Sequence, residues 1–293
     1  MMDCFNFNHY NNIVIKVGSA LVAPDGYCCS TEYCLPLANF IKKCRQLGKT
    51  VTLVSSGAVA AGFNTLKPNH ASLSLDEKQA LAAIGQSKVI NHWQRFFDNH
   101  VAQVLLTAAD ISNSTRSNNA KRTLQTLHQH HVLPIINEND TVAIEELKFG
   151  DNDNLAARVA KLIGAELLII CSDVDGVYDG DPHKNSRNTP AKLIRHIPQL
   201  DDDTMLLAQP SHNPKATGGM KTKLEAAKFA SQSLIDTIIC NGKTESYLKL
   251  LTNNNPGTWI PSNKALRVNK HTRIRISNAW HKLLLLLIIF KKM

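Results

Sequence analysis

No Cys-x-x-Cys pair occurs anywhere in this 293-residue chain. Its seven cysteines (Cys4, Cys28, Cys29, Cys34, Cys44, Cys171 and Cys240) offer neither zinc-type spacing nor an even disulfide framework. Reduced thiols in a cytoplasmic protein are the expectation. Long hydrophobic runs are missing too. The apolar stretch Leu283–Phe290 has eight residues, against about 20 for a bilayer span, so no membrane partner is expected. The N-terminus carries no basic-then-apolar export signal. Aromatics make up only 6% of the chain and are not interleaved with basic residues, which argues against a nucleic-acid surface. There is no Gly-x-x-x-x-Gly-Lys-Ser/Thr loop, so the P-loop is excluded. Ser56-Gly57 lacks the Gly-x-Ser-x-Gly elbow of a serine hydrolase. Asp173-Val174-Asp175-Gly176 begins like a calcium loop, but Lys184 stands where the twelfth-position Glu is needed. No metal-ligand set is expected.

Acidic residues are absent from positions 261–293, which hold eight Lys/Arg. The first 260 residues carry 25 basic and 24 acidic side chains. The formal net charge of +9 therefore sits almost entirely in the tail, and the body is nearly neutral at +1. A 43% hydrophobic content describes a globular chain with a sizeable core.

What the sequence does contain is alternation. Apolar, β-branched runs at Ile13–Val17, Val51–Val54, Gln103–Thr107, Val132–Ile136, Leu167–Cys171 and Thr237–Cys240 read as buried strands. Helical patterns at Leu35–Leu47, Leu75–Asn99, Ser117–His130, Asn154–Gly164 and Thr222–Ser233 lie between them. The alternation predicts an α/β fold: a three-layer αβα sandwich around a mostly parallel sheet. Asp179–Pro214 has weak periodicity and reads as a long surface excursion. In such sheets ligands bind beyond the carboxyl ends of the strands.

The polar clusters fall at those ends. Lys16-Val17-Gly18-Ser19 places an ammonium beside exposed backbone N–H groups, a combination suited to phosphate oxygens. Ser55-Ser56-Gly57-Ala58-Val59-Ala60-Ala61-Gly62 fits either close approach of a substrate or tight helix–sheet packing. Asn137-Glu138-Asn139-Asp140 ends an apolar strand. Gly150-Asp151-Asn152-Asp153-Asn154 opens a helix, as an N-cap and as a place for a polar ligand. Ser172-Asp173-Val174-Asp175-Gly176-Val177-Tyr178 follows the fifth strand, with Tyr178 available for packing in a nucleotide pocket. In Thr217-Gly218-Gly219-Met220-Lys221-Thr222-Lys223, Lys223 lies in the first turn of a helix. A cation there opposes the macrodipole, and an anionic ligand would remove the conflict.

Together with Ala82-Ala83-Ile84-Gly85-Gln86-Ser87, these clusters resemble the amino-acid kinase superfamily, and within it the glutamate 5-kinase family. Seven motifs run in family order over roughly residues 13–260. The resemblance implies transfer of the ATP γ-phosphoryl to the side-chain carboxylate of L-glutamate, opening proline synthesis. It implies Lys16, Lys223 and Asp153 as catalytic residues, with Asp153 orienting the two lysines. Ser56, Asp140 and Asn152 match glutamate-binding positions, with Asp140 taking the α-ammonium. Lys16, Gly18, Ser19, Ser172, Asp173 and Thr217, Gly218, Gly219, Met220, Lys221, Thr222 and Lys223 match nucleotide-binding positions. Mg²⁺ would accompany ATP, held largely by water and substrate. Proline is expected as feedback inhibitor, and a homo-oligomer (dimer or tetramer) as the assembly. Ser19 and Ser172 stand where the family commonly has Thr, and Ala216 where a Gly is frequent. Many members carry a C-terminal PUA domain of the RNA-modification type. Here the expected organisation is a kinase domain over 1–260 and a basic, then apolar, tail over 261–293 without a PUA domain.

Two other readings compete. One is a kinase of the same fold acting on another small carboxylate. The other is a chain that binds nucleotide or amino acid without turnover. An RNA-binding role for the basic tail is a weaker third.

Overall fold

The computed structural model describes residues 5–68, 73–98, 100–143, 151–180, 191–206 and 219–262. In chain order the elements are β1 (Asn12–Val17), α1 (Ser19–Val22), α2 (Thr31–Gln46), β2 (Thr50–Ser55), α3 (Ala58–Leu66), α4 (Leu75–Gln94), β3 (Val101–Leu106), α5 (Ala108–Ser112), α6 (Ser114–Gln129), β4 (Leu133–Glu138), α7 (Asn152–Ile163), β5 (Leu167–Ser172), α8 (Asp202–Leu206), α9 (Met220–Gln232), β6 (Asp236–Asn241) and β7 (Thr258–Ile260); the six strands and five helices expected are among them, and α1, α3, α5, α8 and β7 are additional. The strands form one seven-stranded sheet in the order β3-β4-β2-β1-β5-β6-β7. All neighbours are parallel except β6 and β7.

Period-two alternation sends each strand's side chains to two separate cores. Ile13, Ile15 and Val17 of β1, with Leu167, Ile169 and Cys171 of β5, join one core beneath α2 and α4. Val14, with Leu168 and Ile170, joins the other beneath α7 and α9. Both faces of the sheet are thus covered, and the three-layer αβα arrangement holds. Lys16 shares the parity of Val14, so it projects on the α7/α9 side.

The connections leaving β1 and β5 run to opposite sides: β1 leads to β2, and β5 leads to β6. The gap between their carboxyl ends is therefore a topological switch point, where open α/β sheets hold ligands. Lys16–Ser19 and Ser172–Asp173 flank it, tied by the bond from Gly18 N–H to the Cys171 carbonyl (3.3 Å).

Helix starts differ from the sequence expectation for local reasons. The helix expected from Asn154 begins at Asn152, because Asp151 rather than Asn154 is the N-cap. The Asp151 carboxylate accepts from the N–H groups of Asp153 (3.0 Å) and Asn154 (3.1 Å). Its other end stops at Gly164, which is left-handed at φ 67°. The helix expected at Leu75–Asn99 ends at Gln94; its start is held by a capping box between Ser74 and Glu77. Helix α3 was not expected as a helix. Its N-cap is Gly57, which makes no side-chain cap bond, so the usual start signal is missing. Strand β7 also went unread, since three residues are too few for a visible period.

Among the described residues, no helix is long and apolar enough to cross a membrane. The six described cysteines are free thiols, four of them buried. Of the Asp179–Pro214 excursion, 181–190 and 207–214 lie outside the described residues, as do 263–293 of the tail.

Candidate active site

The site is assembled on the first turn of α7, where three successive side chains do three jobs. A helix turns about 100° per residue, so Asp151, Asn152 and Asp153 fan out in different directions. Asp151 caps the helix. Asn152 reaches toward β2 and β4. Asp153 points inward and is fully buried.

Asp153 gathers the two lysines expected to act together. Its Oδ1 lies 2.5 Å from Lys16 Nζ, and its Oδ2 lies 3.1 Å from Lys223 Nζ. Thr222 Oγ1 donates to Oδ2 as well (3.2 Å). Lys16 and Lys223 are each only 4% exposed, so both ammonium groups sit where water screens them little. Burial by itself would push the Asp153 carboxyl up, but the charges of Lys16 and then Lys223 prevail and hold it down at about 2. Asp151 shows the opposite balance: burial and the neighbouring Asp153 charge raise its carboxyl. Two buried ammoniums meet on the one firmly ionised Asp153 carboxylate, which places both cationic groups side by side where phosphate oxygens could reach them.

The backbone supports the same use. Gly219 caps α9 without a side chain, and Met220–Lys223 form its first turn, whose N–H groups lack helix partners. Lys223 turns inward, while Lys221 stays 74% exposed in a loose 4.0 Å pair with Glu225. Only the backbone of Lys221 is therefore near the site. Gly18 adopts an ordinary φ of −75°. A Cβ there would sit 3.8 Å from the Cys171 carbonyl and 3.9 Å from Lys16 Nζ. The glycine thus leaves clearance beside the ammonium and answers no backbone strain. Ser19 opens α1, and Ser172 Oγ donates to Asp173 (3.1 Å). Thr217 and Gly218 lie outside the described residues.

The second half of the site is a chain of amides. Asn152 Nδ2 donates to Ser56 Oγ (2.8 Å) and to Asn137 Oδ1 (2.7 Å). Asn137 Nδ2 in turn donates to Gln86 Oε1 (2.7 Å). Asp140 is half-buried, two residues beyond β4 on the same sheet edge. Ser56 is set by its N–H bond to the Val17 carbonyl (3.0 Å) and by Gly57, which is left-handed at φ 105°. A Cβ on Gly57 would also come within 2.8 Å of Val22 Cγ1. Both strain and space therefore demand glycine there.

Ser55, next to Ser56 in sequence, is not part of the amide network: its Oγ accepts the Trp93 indole N–H (2.9 Å) and donates to the Ser56 carbonyl (3.1 Å). It is a strut. Tyr178 donates its hydroxyl to Asp175 (2.9 Å), and Asn241 donates to the same carboxylate (2.9 Å). The two brace the loop after β5. In Ser55–Gly62 the packing reading is seen at Ala61 and Gly62, which are buried against α4, while Ser56 joins the amide network. Asn137 and Gln86 were not singled out from sequence. Their signal was present, since each belongs to a motif at a strand end or inside α4, but a buried amide carries no charge to draw attention.

The amino acid kinase family model matches residues 11–241. The chain belongs to the amino acid kinase family. It is 46% identical over 250 residues to a glutamate 5-kinase of Idiomarina loihiensis, covering 85% of this chain and 67% of that protein. It is 48% identical over 266 residues to a glutamate 5-kinase of Salinibacter ruber, covering 89% and 70%. Among solved structures, a UMP kinase of Bacillus anthracis matches with a TM-score of 0.59 at 16% identity, covering 87% of this chain and 97% of that one. A carbamate kinase of Giardia lamblia bound to AMP-PNP matches with a TM-score of 0.58 at 16% identity, covering 87% and 100%. These two establish the fold alone.

Proposed function

We propose that this enzyme transfers the γ-phosphoryl of ATP to the side-chain carboxylate of L-glutamate, giving glutamyl 5-phosphate for proline biosynthesis. The observation that carries the reading is Asp153 holding Lys16 and Lys223, one on each carboxylate oxygen, beside the Ser56–Asn152–Asn137 amide network. One half is built for phosphate, the other for a small polar acceptor. The glutamate 5-kinase relatives direct the choice of acceptor.

In the reaction a glutamate carboxylate oxygen attacks the γ-phosphorus. A new O–P bond forms, and the bond from that phosphorus to the β,γ-bridging oxygen breaks, releasing ADP. The attacking carboxylate is ionised at neutral pH, so no general base is needed. Catalysis is positioning and charge neutralisation. Lys16 and Lys223 offset the charge on the phosphoryl in flight, and Asp153 keeps both ammoniums aimed. Ser56 and Asn152 hold the acceptor, with Asp140 taking its α-ammonium. Met220–Lys223 N–H groups and the Ser172–Asp173 segment hold the nucleotide. Mg²⁺ would accompany ATP as part of the substrate and would offset phosphate charge. The Asp153 carboxylate is already committed to two lysines, which makes it a poor ligand for the ion.

Proline competing at the glutamate site and assembly into a dimer or tetramer complete the reading. The test is ADP release from Mg-ATP with and without L-glutamate, with hydroxylamine trapping the acyl phosphate. Glutamate-dependent ADP and hydroxamate are expected. Equal turnover with another small carboxylate, or nucleotide binding without turnover, would refute it. Proline titration and sedimentation test the remaining parts.

A further inference from the structure

Helix α4 carries a polar group into the site that the mechanism above does not use. Gln86 is buried on this helix, next to Gly85. A Cβ on Gly85 would fall 1.8 Å from the Ala58 carbonyl oxygen, and one on Gly62 would fall 2.1 Å from the Leu81 carbonyl oxygen. The two glycines let α3 and α4 touch backbone to backbone. That contact places Gln86 within reach of Asn137, 51 residues away in sequence.

The hydrogen bonds running from Gln86 have a direction. Gln86 Oε1 accepts from Asn137 Nδ2, which turns Asn137 Oδ1 toward Asn152. Asn152 Nδ2 then spends its two hydrogens on Asn137 and on Ser56 Oγ. Ser56 Oγ is thereby an acceptor within the protein. Its own hydroxyl hydrogen is left to point away from Asn152, and Ser56 is half-exposed at the sheet edge. Were every amide reversed, Asn152 Oδ1 would face Ser56 and take that hydrogen. A lone pair of Ser56 would then face an incoming carboxylate.

We propose that Gln86 is a positioning residue that sets the polarity of the Gln86–Asn137–Asn152–Ser56 relay, so that the Ser56 hydroxyl donates to a carboxylate oxygen of the acceptor. The proposal rests on the reading of glutamate as acceptor. Wild-type turnover without glutamate dependence would sink that reading first, before any variant is compared.

The test is steady-state kinetics on three variants. Gln86→Met keeps the length but removes the acceptor, while Gln86→Glu keeps an acceptor in place. Ser56→Ala removes the end of the relay. Gln86→Met should raise the glutamate KM about tenfold, the scale of one hydrogen bond to a charged group. Its kcat and Mg-ATP KM should stay within about twofold. Gln86→Glu should restore the glutamate KM. In a Ser56→Ala background, Gln86→Met should add nothing further, because the two changes act through one hydroxyl. Parallel loss of kcat and both KM values, full additivity in the double variant, or no recovery with Gln86→Glu would overturn the relay. If Gln86→Met does not fold, Gln86→Glu decides alone: an unchanged glutamate KM supports the relay, and a tenfold rise refutes it.

Discussion

Replacing Asp153 by Asn keeps the shape of the site and removes one charge from its centre. The side chain is fully buried and faces two ammoniums that are each 4% exposed. A carboxyl held from its ordinary 3.8 down to about 2 contributes roughly 2 kcal/mol to stability at neutral pH. Breaking a buried ion set by removing one partner costs about 3–5 kcal/mol, because the remaining charges stay desolvated. The Asn amide still offers one acceptor, so the lower end, about 3 kcal/mol, is expected. At about 2–4 °C per kcal/mol for a chain approaching this size, the apo-protein should melt about 6–12 °C lower. The sign of the pH dependence follows. A depressed carboxyl stabilises above its unfolded value and loses that contribution as pH falls through its folded one. The gap between wild type and variant should therefore be full at pH 7 and shrink from about pH 4 toward pH 2. Mg-ATP should raise the Tm of Asp153→Asn more than that of wild type, since its phosphates supply the missing negative charge. Turnover should fall about 100-fold or more, because the lysines lose their common anchor. Calorimetry across pH, with and without Mg-ATP, reads the thermal effects, and the coupled ADP assay reads the turnover. Equal Tm values at pH 7, or a gap that persists unchanged to pH 2, would refute the charge argument.

Four further outcomes follow from the same geometry. Lys223→Ala should lower kcat about 100-fold or more while leaving the glutamate KM within about threefold, since its charge acts on the phosphoryl in flight; a changed KM with unchanged kcat would contradict this. Asp140→Ala should raise the glutamate KM about tenfold or more with the Mg-ATP KM unchanged, and an unaltered glutamate dependence in initial rates would remove it from the acceptor site. Gly85→Ala pushes a methyl to 1.8 Å from the Ala58 carbonyl oxygen; overpacking of about 1–3 kcal/mol should appear as a lower Tm, together with a raised glutamate KM. Asp151→Asn keeps the N-cap acceptor and removes a carboxylate whose raised pKa costs stability when ionised. This variant should melt higher than wild type at pH 7, and the advantage should vanish as pH drops below the ordinary carboxylate range.

The strand–helix alternation was legible because buried parallel strands read as short apolar runs. Lys16 and Lys223 stood out as candidates because one ends a strand beside Gly-Ser and the other is a cation in a helix's first turn, whereas Asp153 was singled out by the family resemblance. Asp151 hid behind Asn154, since four capping-capable residues stand in a row and any of them could have started the helix. Ser55 and Ser56 are identical in type, and only their tertiary partners, the Trp93 indole for one and the Asn152 amide for the other, set them apart. Gln86 left no trace in charge or period.

The chain's own order of residues thus determines the element sequence, the core parity that puts Lys16 on the α7/α9 side, and the helix starts that gather backbone N–H groups at the sheet's edge. These are local properties, set within a few residues by period and capping. Tertiary structure alone decides that Asp153 meets Lys223 from 70 residues away, that Asn152 meets Ser56 across 96, and that Gln86 meets Asn137 across 51. Those meetings depend on strand order and on two glycines that let α3 and α4 touch, and no short window of sequence contains either.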